Sequence, residues 1–341
     1  MRWIIRHGTS RSGFSYLDER GAPVRNAKVL ARIDALHVPP AWQHVHVAAG
    51  ATAAVQAWGM DAKGRKQYRY HGRAVERGDR RKHYRVRLLA RELPKIRAKL
   101  REDFLREGLP KERVAAAAVR LLSDGFFRVG SDRYVKENGT FGLTTLRKRH
   151  VRVDGSAITF EYIGKRSIRQ WKVITDRELA PFVEMLHGLP GARVFRYETE
   201  RGLADLTARD VNDYVRTLTG FRYSAKDFRT WGGTLRFATV LAELGAPTSV
   251  HARKRNVVLA MRLVAAELGN TPAICRKAYV HPIVVARYVD DGDTIGAGLA
   301  RVRRNGIATA HAPEERALIR FLDRHFPERR RRRRREGTLA A

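Results

Sequence analysis

Cysteine is almost absent from this chain of 341 residues, which has a single one, Cys275. One cysteine cannot build a disulfide framework or a cysteine metal cluster, so a reducing cytoplasm is the expected compartment. Histidine is commoner, with 12 residues. None of them stands in a His-x-x-x-His spacing with an acidic partner, and we therefore predict no metal site.

Long apolar runs and a nucleotide-binding loop are also missing. No apolar run approaches the roughly 18 to 20 residues of a membrane span, and the polar start at residues 1–7 is too short for a secretory signal. No Gly-x-x-x-x-Gly-Lys-[Ser/Thr] loop is present, so nothing indicates ATP use. We expect no membrane partner and no cofactor.

Negative charge is scarce: 35 Asp and Glu stand against 68 Lys and Arg, a formal net charge of +33. Such a charge raises the local concentration of polyanions and speeds their capture, so DNA or RNA is the expected partner. Seven consecutive arginines occupy residues 329–335. They are expected to bind phosphates without sequence preference, although a simple solubility role stays open.

The hydrophobic pattern changes near residue 80. Before it, residues 36–42 form a proline-fixed turn, and residues 44–47 and 67–71 alternate as strands do. Turn and charged residues at 78–82 then break the pattern. The next 246 residues are mostly helical by periodicity, with helices expected over residues 86–100, 114–122, 207–218, 225–244 and 252–268.

Strand-like sequence returns between residues 139 and 173, with a turn at Gly164 and Lys165. The predicted fold class is therefore α+β. A small β-rich domain covers residues 1–80, and a larger, mainly helical domain with a small sheet covers residues 81–326. A basic tail covers residues 327–341.

One tyrosine, Tyr279, closes a run that begins at Asn270, and a second run upstream holds Lys226 and Arg229. A phenol has a pKa near 10, so it is a poor nucleophile at neutral pH unless nearby charge stabilises the phenolate. Guanidinium groups suit the oxygens of a phosphodiester. This pairing indicates phosphoryl transfer through a phosphotyrosine. A helix-face tyrosine stacked on a cation is the simpler alternative.

Five motifs occur in a fixed order: Phe-Arg-Val-Gly at 127–130, Tyr-Val-Lys-Glu-Asn-Gly-Thr-Phe-Gly-Leu at 134–143, Gly-Lys at 164–165, Lys-Asp-Phe-Arg-Thr at 226–230, and Asn-Thr-Pro at 270–272 with Lys-Ala-Tyr at 277–279. Together with Val-Pro-Pro-Ala-Trp at 38–42, they resemble the type IB DNA topoisomerases, in particular the small bacterial and poxvirus-type enzymes. The resemblance covers nearly the whole chain. It implies relaxation of supercoiled duplex DNA without ATP or metal.

The resemblance also implies a role for each catalytic residue. Tyr279 attacks a backbone phosphate and expels a 5′-hydroxyl, which leaves a 3′-phosphotyrosyl link. Arg128 and Arg229 hold the non-bridging oxygens, and Lys165 is the general acid for the leaving oxygen. Asn270, where many members carry histidine, donates a hydrogen bond to a phosphate oxygen. A helix cap is the other interpretation of Asn270, and both could hold together.

Further residues match DNA-contact positions of the family. Gln67, Tyr68 and Tyr70 are expected on a strand face that meets the major groove, with a half-exposed β surface as the alternative. Tyr134 is either a phosphate contact or a core aromatic. Lys226 either assists proton transfer or binds DNA, on one helix face with the second arginine. The expected assembly is a monomeric two-domain clamp around duplex DNA in the nucleoid.

Two other functions compete with this interpretation. A tyrosine recombinase shares the catalytic fold and the nucleophile, but such enzymes usually carry His-x-x-Arg where this chain has Lys226 and Arg229. Recombinases also act as tetramers at paired sites. A non-catalytic DNA-compacting protein would explain the charge and the tail, but it gives no reason for the five motifs.

Overall fold

The computed structural model describes residues 2–220, 222–304 and 311–326, and the chain divides into two compact units, Met1–His83 and Tyr84–Ala341. The predicted arginine arm at residues 329–335 lies outside the described residues.

The amino-terminal unit is built on an antiparallel sheet in the order β2-β1-β3-β4-β5. Its elements are β1 (Trp3–Thr9), β2 (Gly13–Leu17), α1 (Ala27–Ala35), β3 (Gln43–Ala48), β4 (Val55–Met60) and β5 (Lys66–Tyr70). The alternation at residues 44–47 and 67–71 thus falls in β3 and β5. Ile33 of α1 packs with Ile4, Val45 and Val47 of the sheet, so this unit has its own small core.

Helix α2 (Gly72–Phe104) contradicts the predicted turn at residues 78–82, which are helical. A single Gly78 costs only about 1 kcal/mol in a helix. The burial of apolar side chains further along, such as Leu89, Leu93 and Ile96, outweighs that cost at about 1.5–3 kcal/mol for each. The charged residues at 78–82 are therefore part of a long helix rather than a break.

The second unit is mainly helical, which confirms the predicted α+β class. Its elements are α3 (Lys111–Asp124), α4 (Asp132–Asn138), β6 (Val151–Asp154), β7 (Ala157–Ile163), β8 (Arg169–Thr175), α5 (Leu179–Gly188), β9 (Arg196–Thr199), β10 (Gly202–Asp205), α6 (Ala208–Leu218), α7 (Ala225–Leu244), α8 (Val250–Leu268), α9 (Pro272–Ala278), α10 (Pro282–Asp291), α11 (Gly296–Arg304) and α12 (Pro313–His325). Helices α3 and α7 are buried along most of their length and form the centre of the core.

The predicted hairpin is present as β7 and β8, in a sheet of order β6-β7-β8. Ile163 pairs with Arg169 at its end, and the Gly164 N–H donates to the Ile168 carbonyl at 2.8 Å. Residues 139–150, expected to be strand-like, instead hold two 3₁₀ turns, Leu143–Thr145 and Lys148–His150.

Among the described residues, no single helix is long and apolar enough to cross a membrane, whereas α8 and α9, bent by 89°, meet the length and composition criterion as a pair.

Candidate active site

The carboxyl end of α8 is the place where the cations of the site meet. Three successive carbonyl groups, those of residues 267–269, each accept a hydrogen bond from a different cation. Lys172 Nζ donates to the first at 2.7 Å, Arg229 Nη2 to the second at 2.9 Å and Arg128 Nη2 to the third at 3.1 Å. The last carbonyls of a helix have no partner within it and carry partial negative charge. Backbone carbonyls thus gather three cations at the same helix end.

Asn270 follows this helix end directly and is held by it. Its Oδ1 accepts from Arg128 Nη2 at 2.5 Å, and its backbone N–H donates to the Ala265 carbonyl at 2.8 Å. Its Nδ2 is buried and has no hydrogen-bond partner in the described part of the chain. The helix-cap interpretation of Asn270 is wrong, because Thr271 is the residue that caps α9, through its own side chain. A buried amide donor without a partner is costly and therefore marks a place for an acceptor.

Arg229 lies on α7 and is only 4% exposed. The start of α7 is fixed by Asp227, which accepts from the Ser224 N–H and hydroxyl at 2.9 Å each and pairs with Arg85 at 2.8 Å. Burial lowers the pKa of Arg229, and the neighbouring Arg128 acts in the same direction. A guanidinium in so dry a place exerts a stronger field on an incoming anion than one in water.

Tyr279 ends α9 and is half-buried beside Arg229, whose guanidinium carbon lies 5.1 Å from the centre of the tyrosine ring. Its backbone is tied to α7 at two points. The Thr234 hydroxyl donates to the Tyr279 carbonyl at 3.0 Å, and a Cβ at Gly233 would stand only 3.2 Å from Tyr279 Cβ. The candidate nucleophile and the buried arginine are therefore fixed to the same helix.

Lys165 stands apart from this cluster. It lies in the turn of the β7–β8 hairpin, where its side chain is exposed and makes no hydrogen bond or ion pair with the described residues. The next two residues, Arg166 and Ser167, both have left-handed backbone angles, with φ of 65° and 58°. The structure therefore brings four of the five predicted catalytic residues together and leaves the fifth at a hairpin tip.

Two residues of the cluster were missed from the sequence. Lys172 is half-buried, and its burial, followed by the fields of Arg229 and Arg128, lowers its pKa to about 8. Tyr162 is buried near the same two arginines, and burial raises its pKa although both cations oppose the shift. The alternation of side chains along β8 could have identified Lys172. It places Lys172 on the inner face of the strand, between the buried Gln170 and Ile174. A charged residue at such a position needs a partner.

The predicted DNA-contact residues of β5 do not share one strand face, which corrects the expectation. Successive side chains of a strand point to opposite faces. Tyr68 and Tyr70 are 42% and 53% exposed, and their rings stack at 5.8 Å. Gln67 points the other way, where its amide donates to Asp61 Oδ2 at 2.9 Å.

Tyr134 is 48% exposed on α4, so the core interpretation of this residue is wrong. Lys226 is exposed near the start of α7, whereas the arginine three residues later is buried. Within residues 2–220, 222–304 and 311–326, no group of three or more His, Cys, Asp and Glu residues is placed to hold a metal ion.

Comparison with known proteins identifies the family to which this chain belongs. Residues 66–305 match the model of the eukaryotic DNA topoisomerase I catalytic core, and residues 13–61 match that of the bacterial DNA topoisomerase IB N-terminal domain. The DNA topoisomerase 1B of Acanthamoeba polyphaga mimivirus is 31% identical over 261 residues, which is 74% of this chain and 78% of the relative. The DNA topoisomerase 1B of Vaccinia virus (strain Copenhagen) is 24% identical over 237 residues, 68% of this chain and 72% of the relative.

The chain therefore belongs to the type IB DNA topoisomerase family, and the resemblance found in its motifs is confirmed. This family acts on DNA, and duplex DNA is accordingly the substrate of this protein.

Proposed function

We propose that this protein relaxes supercoiled duplex DNA through a transient covalent link between Tyr279 and a DNA 3′-phosphate. The observation that carries the proposal is the attachment of Tyr279 to α7 beside Arg229. Arg229 and Arg128 both donate to carbonyls at the carboxyl end of α8, and Asn270 follows that end directly. A tyrosine fixed beside one guanidinium group, with a second guanidinium group and a free amide donor at the helix end that holds the first, has what phosphoryl transfer needs.

The reaction proceeds in two balanced steps. The phenolic oxygen of Tyr279 forms a bond to phosphorus, the bond from phosphorus to the 5′-oxygen breaks, and the phenolic proton is released to solvent. The leaving 5′-oxygen takes a proton from Lys165. After the broken strand has rotated, the 5′-hydroxyl attacks the phosphotyrosine and restores the original bond. Because the phosphotyrosine conserves the phosphodiester bond energy, no nucleotide needs to be hydrolysed.

The helix-end cluster stabilises the charge that grows on the phosphate. Arg128 and Arg229 each use one N–H group on a backbone carbonyl, which fixes their planes and leaves further N–H groups for the non-bridging oxygens. The buried Nδ2 of Asn270 supplies one more donor. Donors fixed in advance need no reorganisation when the transition state forms, and each contributes about 10²- to 10³-fold in rate.

The remaining assignments extend the proposal to the whole chain. Lys165 is the general acid, and its exposed ammonium makes no ion pair with the described residues that would compete with DNA. Lys226 is the second candidate. Tyr68, Tyr70 and Tyr134 are exposed and contact DNA, and the two units close around the duplex as a monomeric clamp. We place the protein on the nucleoid in the cytoplasm.

Plasmid relaxation in EDTA without ATP is the decisive experiment. Both negatively and positively supercoiled plasmids should be relaxed, and denaturant quenching should trap nicked DNA with protein on its 3′ end. A strict requirement for ATP or magnesium would contradict the proposal. Activity confined to tetramers on paired sites would identify a recombinase, and compaction without linked DNA would identify an architectural protein.

A further inference from the structure

Gln170 fills the space between two glycines that precede predicted catalytic residues. It lies on the inner face of β8 and is 6% exposed. A Cβ at Gly164, the residue before Lys165, would lie 2.8 Å from Gln170 Cγ. A Cβ at Gly269, the residue before Asn270, would lie 2.0 Å from Gln170 Oε1. The stem of this one side chain therefore rests on the hairpin, and its head rests on the turn between α8 and α9.

The hairpin is a structure that needs such support. Two successive non-glycine residues, Arg166 and Ser167, hold left-handed backbone angles directly after Lys165. Residues in this region persist only where their surroundings determine them. The Ile168 carbonyl closes the turn by accepting from Gly164, and Gln170 Nε2 lies 3.4 Å from the same carbonyl. Gln170 thus acts on the base of the turn that carries Lys165.

The other contact leads to the phosphate-binding donors. Gly269 caps α8 with a φ of 61°, and its carbonyl accepts from Arg128. The Gln170 head lies directly against this glycine, which is bonded to Asn270. In addition to the hydrogen bonds between the strands, the Gln170 side chain directly connects two parts of the site. One is the β7–β8 hairpin turn, which carries Lys165, and the other is the end of α8, which holds Arg128 and Asn270.

We propose that Gln170 is a positioning residue that sets the hairpin turn, and with it the Lys165 ammonium, relative to the donors at the end of α8. The proposal rests on the function proposed above and adds a residue to it. A displacement of about 1 Å of a reacting group can cost up to about 100-fold in rate. The effect of losing Gln170 should therefore appear in the step that Lys165 serves.

Gln170→Ala tests this on two DNA substrates. On ordinary DNA, single-turnover cleavage should slow about 10- to 100-fold. On DNA with sulfur in place of the bridging 5′-oxygen, the leaving thiolate needs no proton, so cleavage should return to within about threefold of wild type. Val173→Ala, on the exposed outer face of the same strand, is the matched control and should behave as wild type on both. Gln170→Met, which keeps the length of the side chain, should recover most of the rate on ordinary DNA.

The double variant Lys165→Ala/Gln170→Ala makes the test independent of the exact role of Lys165. Residues that act through one another are not additive, so the double variant should cleave ordinary DNA no more slowly than Lys165→Ala. A further 10-fold loss in the double variant would overturn the proposal. Cleavage of ordinary DNA by Gln170→Ala at the wild-type rate would also overturn the proposal. A third contradicting result would be that Gln170→Ala and Gln170→Met lose the same activity on both substrates while their melting temperature and DNA affinity are unchanged. A wild-type protein that forms no DNA adduct would instead refute the proposed function itself.

Discussion

Asn270 gives the sharpest prediction, because its two side-chain atoms have different partners. Oδ1 is bonded to Arg128, whereas Nδ2 is buried and has no partner among the described residues. Asn270→Ala removes both atoms. Asn270→Asp keeps an oxygen against Arg128 and replaces the free donor with a second oxygen. The comparison separates loss of a donor from gain of a charge.

The expected magnitudes follow from these contacts. Loss of one donor to a phosphate oxygen should slow cleavage by Asn270→Ala about 10²- to 10³-fold. A carboxylate about 4 Å from a phosphate oxygen repels it by roughly 4 kcal/mol at an effective dielectric constant near 20. Arg128 offsets part of that repulsion. Asn270→Asp should therefore be slower than Asn270→Ala by a further factor of about 10 to 10³.

Although Asn270→Asp should slow cleavage most, it should not lower the stability of the folded protein. A carboxylate at position 270 meets Arg128 directly, and Arg128 in turn lies near Arg229 and Lys172. Asn270→Asp should therefore melt at or above the wild-type temperature. Single-turnover formation of the covalent adduct, with a melting curve for each variant, measures both effects. Wild-type cleavage by Asn270→Ala would show that Nδ2 does not contact the phosphate. Equal rates for the two variants would show that position 270 is remote from the developing charge.

Three further outcomes are expected. Tyr279→Phe should form no covalent adduct and bind DNA within about threefold of wild type, because phosphate contacts dominate affinity; adducts in gel assays would identify another nucleophile. The pKa of Lys172 is lowered from 10.5 to about 8, so between these values the unfolded chain binds more protons and the free energy of unfolding rises with pH. Lys172→Met should lack this rise in denaturant titrations, and parallel curves would refute it. Truncation after Phe326 should flatten the salt dependence of DNA binding by about 0.9 in log–log slope for each phosphate that the tail neutralises; an unchanged slope would show that the tail does not touch DNA.

The helices and strands with strong periodicity were predictable, because their burial repeats with the period of the element. Helix α7 and the β7–β8 hairpin were found from such patterns. The continuation of α2 through residues 78–82 was not, because local turn preferences of about 1 kcal/mol are overruled by distant packing that a sequence does not display. The alternation of side chains along β5 was sufficient to predict that Gln67 and Tyr68 point to opposite faces of the sheet.

The motifs contain the candidate active-site residues, but they do not indicate what holds four of these residues together. Charged residues invite the expectation of carboxylate partners, and in a chain with 35 acidic and 68 basic residues such partners are few. The structure uses the carbonyls of residues 267–269 instead. These groups are present in every helix whatever its sequence, so no residue pattern reveals them.

This choice of partner has a chemical consequence for the site. A carboxylate beside Arg128 or Arg229 would cancel most of its charge and compete with a phosphate for the same N–H groups. A backbone carbonyl is a dipole, so it fixes one N–H of each guanidinium while the full positive charge remains. Burial lowers the pKa of Lys172 most, and the positive charges of Arg229 and Arg128 lower it further. In the proposed mechanism, a DNA phosphate relieves this repulsion between the cations when it binds. The end of α8 therefore holds the cations in place and leaves their charge available to the phosphate that we propose binds there.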